Sequence, residues 1–288
     1  MIPIDIPEAK KTFYLPESLG ECDAKQFAEM AKLLYMFHTR QITYEQFRSL
    51  AVYALLNLKI TSKNSVALED NPKMSNLYLI SEMINRFFEE KETGEGTALE
   101  LKLDFYHSPY TKHRTLYGTF HSPQNGFMDV SFGQYIDGLE ESIYFSKTGE
   151  IDALRRLFAI FYLKKNEDYT PKLITKRATR DFKTTDIRHL YSFYLWFCSM
   201  QHYILAGEIE IMGNPIDLSL IYTETRNEKK STIPGIGIHS VLHDLAESGV
   251  FGTNEQVKKT NMWEVLIRLY DLKKRQIDDK ANEKNISK

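Results

Sequence analysis

Apolar and polar residues alternate along most of this chain with the 3.6-residue period of amphipathic helices, most clearly across residues 127–165. A short alternating segment, 127–130, leads to Ser131, with Gln134 three residues on. That spacing is a capping box, in which the two residues satisfy amide donors that the first helical turn leaves orphaned. A helix is therefore predicted from Phe132, with Ile136, Leu139 and Ile143 on one face, and Gly149 ends it by supplying a residue that tolerates positive φ. A second helix follows Glu150 and Asp152 and carries Ile151, Leu154, Leu157, Phe158, Phe161 and Tyr162 in one stripe, above Lys164 and Lys165. The pair reads as a helical hairpin.

The same devices recur elsewhere. Pro3, Pro7 and Pro16 predict an extended arm over 1–22. Asp23 with Gln26 and Thr43 with Gln46 are capping boxes opening two helices that end near His38 and Leu58. A polar linker, 59–69, precedes Asn71-Pro72, which starts a helix through Phe87 and Phe88 that Gly94 and Gly96 stop. Residues 98–105 alternate with period two and 116–120 read as a second strand, which predicts a small antiparallel sheet of two or three strands. Thr184 or Thr185 caps a helix to Ala206 that is apolar nearly all round over 190–200, so it must be covered by the fold or by a partner. Residues 208–212 alternate as a strand would, although continued helix fits as well. A helix over 238–248 follows, and Asn261 with Glu264 opens a last one that frays from Asp278. The fold class is mainly α (α+β): helical hairpins with a small inserted antiparallel β-sheet. The regions are an extended N-terminal arm (1–22), an N-terminal helical region (23–92), a β insertion (93–130), a central helical region (131–232) and a C-terminal helical region (233–288).

Composition changes this picture in three ways. Lysine and arginine number 37 against 39 acids, so a net charge of −2 gives no general attraction to nucleic acid or to an anionic membrane. No segment is long and apolar enough to span a bilayer, no signal peptide is expected, and two distant cysteines suit a reducing compartment. Finally, 17 Phe and 17 Tyr are an aromatic excess, which fits either a tyrosine-rich core or an extensive protein interface. Phe193, Tyr194, Trp196, Phe197, Phe251 and Trp263 are the candidate protein-interaction residues.

The candidates for chemistry are sparse. His239 and His243, four apart on the predicted helix beside Asp244, share a face as zinc ligands would, but Ser240 stands where a metalloprotease has its catalytic glutamate. They remain the alternative reading, a metal-binding protein or enzyme, with ordinary surface histidines as the plainer account. His107, His113 and His121 lack ligand spacing. Gly235 and Gly237 belong to no phosphate-loop or dinucleotide pattern. The basic stretch with Lys176, Arg177, Arg180 and Lys183 could touch phosphates or be a solvated loop. No catalytic residues, metal ligands or cofactors are assigned.

Three segments carry a resemblance: PESLGECDAKQFAEMAKLL, VSFGQYIDGLE…TGEIDALRRLFAIFY, and LHDLAESGVFGTNEQVKKTNMWEVLIRLYDLKK. Together they resemble a family of tail-morphogenesis proteins of tailed phages and prophages, with a helical plan similar to tail assembly chaperones. The resemblance implies a non-enzymatic protein-binding role in virion assembly. Other tail or virion proteins, or a second copy of the chain, would be partners. The protein would act in the host cytoplasm during assembly or be retained in the virion.

Overall fold

The structure is a computed structural model and describes residues 1–6, 11–58, 72–93, 96–206, 208–211, 214–222, 245 and 250–286. The chain is mainly α, with small two-stranded antiparallel sheets. Among the described residues these sheets are four separate hairpins, so the predicted insertion comes as two hairpins side by side in sequence rather than one sheet. The chain divides into two compact units: residues 1–110 with 184–199, and residues 111–183 with 200–288.

In the first unit the predicted arm is extended but paired: β1 (Ile2–Ile6) lies antiparallel to β2 (Lys11–Leu15). Next, Asp23 caps α1 (Ala24–His38), accepting from the Lys25 and Gln26 amides, while Gln26 Oε1 accepts from the Asp23 amide. The other end of the Gln26 amide group donates to Leu55 O at 2.6 Å, so one residue closes the cap and also ties α1 to the end of α2 (Tyr44–Leu55). Phe27, Met30, Ala31 and Leu34 bury against this hairpin with Phe47, Ala51, Val52 and Leu55. The helix α3 (Pro72–Glu82) stops earlier than its apolar spacing predicts. A 3-10 turn, Met83–Phe87, leads instead into β3 (Phe88–Thr93), which pairs with β4 (Gly96–Leu101). Phe87 and Phe88 are both buried, the first at the end of the turn and the second at the start of the strand.

The second unit opens with the hairpin of β5 (Lys112–Thr115) and β6 (Gly118–His121). Residues 125–127 form a 3-10 turn, with Gly126 and Phe127 at φ of 68° and 55°, so the segment expected to alternate from Phe127 opens in a turn that no strand allows. Then come α4 (Phe132–Thr148), capped and stopped as the sequence predicts, with Gly149 at φ 69°, and α5 (Ile151–Phe161), which starts beside Glu150 as expected. Gln134 both completes the capping box and donates to Ile160 O at 3.1 Å, joining the two helices. Ser131→Ala removes the cap oxygen and is expected to cost about 1 kcal/mol, a Tm drop of roughly 2–4 °C by calorimetry.

A three-residue α6 (Ile174–Lys176) continues as a π-turn, Arg177–Asp181, where the sequence suggested a loop. The apolar helix is α7 (Ile187–Ala206); Asp186, not a threonine, sits at its start and accepts from the Arg188 amide at 2.8 Å. The Arg188 guanidinium beside it holds the Asp186 carboxyl down at about 2. After α7, β7 (Glu208–Ile211) pairs with β8 (Asn214–Asp217), which settles that stretch as a strand. The helix Asn254–Lys259 has its own capping box, Thr253 with Gln256, and packs so closely on α4 that a Cβ at Gly133 would lie 3.1 Å from Lys258 O. The last helix, Met262–Ile286, runs on past Asp278, where fraying was expected, and Arg268 and Arg275 both reach Asp271 along it.

Candidate functional site

The β5–β6 hairpin sorts its side chains by strand alternation. His113 and Phe120 are directly paired and face inward: His113 lies edge-on to Phe158 at 5.3 Å, and Phe120 edge-on to Phe182 at 4.8 Å. Behind them Phe158 stacks on Tyr162 at 3.8 Å. This makes His113 a packing residue. On the opposite face stand Lys112 and Arg114, both exposed, opposite His121 and Thr119.

The two strands are joined by Leu116 and Tyr117, a turn that requires Gly118 at φ 131°. Leu116 is 99% exposed and Tyr117 45%. The Tyr117 ring is held by the Arg180 guanidinium, 4.6 Å from its centroid, while Lys164 Nζ lies 5.6 Å from the Phe120 ring centre. An apolar tip is thus set among cations.

What braces the tip is a polar network at its base. The free edge of β6 pairs with Leu163 through His121 N to Leu163 O (2.7 Å) and the reciprocal bond (3.1 Å). The chain then turns, with Asn166 at φ 59°, and Glu167 accepts from the Lys164 amide at 3.0 Å. The same carboxylate forms an ion pair with Arg177, whose side chain is only 6% exposed. One residue pair later, buried Asp181 holds Arg180 in place over Tyr117. Tyr169 donates to Asp137, which joins this segment to α4, and the low-dielectric setting together with that carboxylate raises the phenol's pKa far above its ordinary value.

Between β6, the start of α4 and this turn lies a groove of about 500 Å³, lined in part by His121, Asp129, Gln134, Lys164, Glu167 and Asp168. Asp129 accepts from the Gln124 amide, Gln134 bonds to Ile160 O, and Glu167 pairs with Arg177. These groups are engaged in holding backbone and each other.

The structure distributes the sequence candidates differently. Phe193, Tyr194, Trp196 and Phe197 are 1%, 7%, 0% and 0% exposed, so in this conformation they are core side chains and present no face to a partner. Phe251 and Trp263 are half-buried, and Trp263 Nε1 donates to Gly126 O at 2.8 Å. Of the cations considered for phosphate contact, Arg177 is buried and paired, and Arg180 is committed to Asp181 and Tyr117. Burial pushes the thiols of Cys22 and Cys198 up to about 12, so both are protonated at neutral pH. His239, His243 and Asp244 lie outside the described residues. Among the described residues no group of three or more His, Cys, Asp or Glu side chains is placed to hold a metal, and no helix is long and apolar enough to cross a membrane. The hairpin tip was missed by sequence reasoning, because Leu116 and Tyr117 continue an apolar pattern that reads as strand interior; only Gly118 hints at the turn. No protein-family model, curated protein or solved structure matches this chain.

Proposed function

We propose that this chain is a non-enzymatic protein-binding component of phage tail or virion assembly, acting as a tail assembly chaperone or as a part retained in the particle. The observation that carries the binding role is the Leu116–Tyr117 turn, an apolar tip held away from the core by a hydrogen-bonded base and flanked by cations. A leucine left in water contributes nothing to the isolated fold, whereas buried in a partner it would contribute on the order of 1.5–3 kcal/mol. Tyr117, with Arg180 fixed across its ring, adds the residue pair that interfaces favour, already ordered before contact. The assignment to tail assembly rests on the resemblance of the three segments quoted above, and it places the protein in the host cytoplasm or the virion.

The test is co-purification with tail proteins produced in the same cells. Leu116→Asp is expected to leave Tm within about 1 °C, since the side chain has no packing to lose, while partner recovery falls tenfold or more. Unchanged recovery with both Leu116→Asp and Tyr117→Asp would sink the binding role of the tip. Mass spectrometry of purified particles separates the two assembly roles: stoichiometric presence marks a structural part, absence a chaperone.

A further inference from the structure

The chain as a whole is nearly neutral, but its charge is sorted by hairpin. Residues 111–121 and 163–183 hold nine lysines and arginines against three acids. Two of those acids, Glu167 and Asp181, are already matched to Arg177 and Arg180. The outward face of β5 presents Lys112 and Arg114, and Leu116 stands at its tip.

In the other unit, β3 and β4 carry Glu89, Glu90, Glu92 and Glu100 against Lys91 alone, and Lys91 pairs with Glu100 at 2.9 Å. Register places Glu90 opposite Leu99 and Glu92 opposite Thr97, so these four share one face. Glu90 and Glu92 are exposed and Leu99 is 50% exposed. At the root of the same face Phe88 is buried, which anchors the hairpin and leaves its outer half free to be covered.

The geometry points to a second copy of this chain as the occupant: the basic β5–β6 hairpin of one molecule docks on the acidic β3–β4 face of the next. Each side offers paired like charges about an exposed leucine, and the two signs are opposite. Complementary charges of this kind set orientation and partner choice, while the leucines supply apolar area. Because the two surfaces are different patches, the contact is head-to-tail, and repetition yields a closed ring or an open filament rather than a two-fold dimer. The proposal rests on the reading of the β5–β6 hairpin as a contact surface and names one partner for it.

The experiment is light scattering after gel filtration, over a concentration series, at low and high salt. Wild-type protein should self-associate at low salt and dissociate as salt rises. Reversing either surface, with Glu90→Lys/Glu92→Lys or with Lys112→Glu/Arg114→Glu, should weaken association about tenfold or more. All four positions are exposed, and circular dichroism checks that the variants fold. Mixing the two reversed variants should restore association, because each then meets its opposite sign.

A wild-type protein that stays monomeric throughout the low-salt series overturns the proposal, as does association that survives both reversals or is not rescued by mixing. Either result is distinguishable from failure of the proposed function, since loss of tail-protein recovery with Leu116→Asp is read on a different partner.

Discussion

Trp196→Ala is expected to destabilise the protein by about 3–5 kcal/mol, the cost of deleting a large, fully buried aromatic side chain and leaving a cavity behind. Trp196 is 0% exposed on α7 and packs edge-on to Phe193 with ring centres 5.6 Å apart. A domain's whole stability is about 5–15 kcal/mol, so this single change approaches the limit of what the fold tolerates. Thermal unfolding should show a Tm lower by roughly 6–20 °C. Trp196→Phe keeps most of the volume and should cost clearly less. A Tm that does not move, with partner recovery lost instead, would contradict the burial described here and return α7 to the surface.

The second large effect concerns the ion pair of Glu167 and Arg177, and it is asymmetric. The Arg177 side chain is 6% exposed and that of Glu167 is 27% exposed. Glu167→Ala therefore strands a buried guanidinium and should cost about 3–5 kcal/mol. Arg177→Met leaves a carboxylate that water still reaches and that keeps the Lys164 amide, so its cost should be about 1–3 kcal/mol. Adding Glu167→Ala to Arg177→Met should then change little, because the stranded charge has gone. Chemical denaturation of the three variants measures this coupling directly, and equal costs for the two single changes would show that Arg177 is hydrated after all.

Helix starts were legible in the sequence because a cap is a local device. Asp23 with Gln26, Thr43 with Gln46 and Ser131 with Gln134 all form the reciprocal bonds that their spacing implies. Thr253 with Gln256 carries the same local signal, but the six-residue helix behind it has no apolar stripe to mark it in the sequence. Strands fared worse for a physical reason. Phe88–Thr93 is a strand only because Gly96–Leu101 pairs with it, since the four residues between Phe88 and Thr93 are three glutamates and a lysine with no β preference of their own. The surface was hardest to read. Apolar α7 invited a choice between core and interface that only burial resolves, and Leu116, which looks like strand interior, stands in solvent. Arg177 is the reverse case, a residue from a basic run that turns inward to meet a carboxylate ten residues away.

Neither compact unit is a continuous stretch of chain: residues 184–199, with most of α7, belong to the first, and the end of α7 begins the returning portion of the second at Met200. During synthesis the first unit cannot close when Tyr110 emerges from the ribosome. It must wait for the 73 residues from Thr111 to Lys183, and for the helix segment after them, before its core is complete. At bacterial and eukaryotic elongation rates of about 5–20 residues per second that delay is roughly 4–18 s. For that interval α1, whose Tyr35 and His38 pack on Tyr191, has no α7 to cover it, which makes the nascent chain a substrate for holding factors and makes cleavage between Tyr110 and Thr111 a poor way to obtain either half.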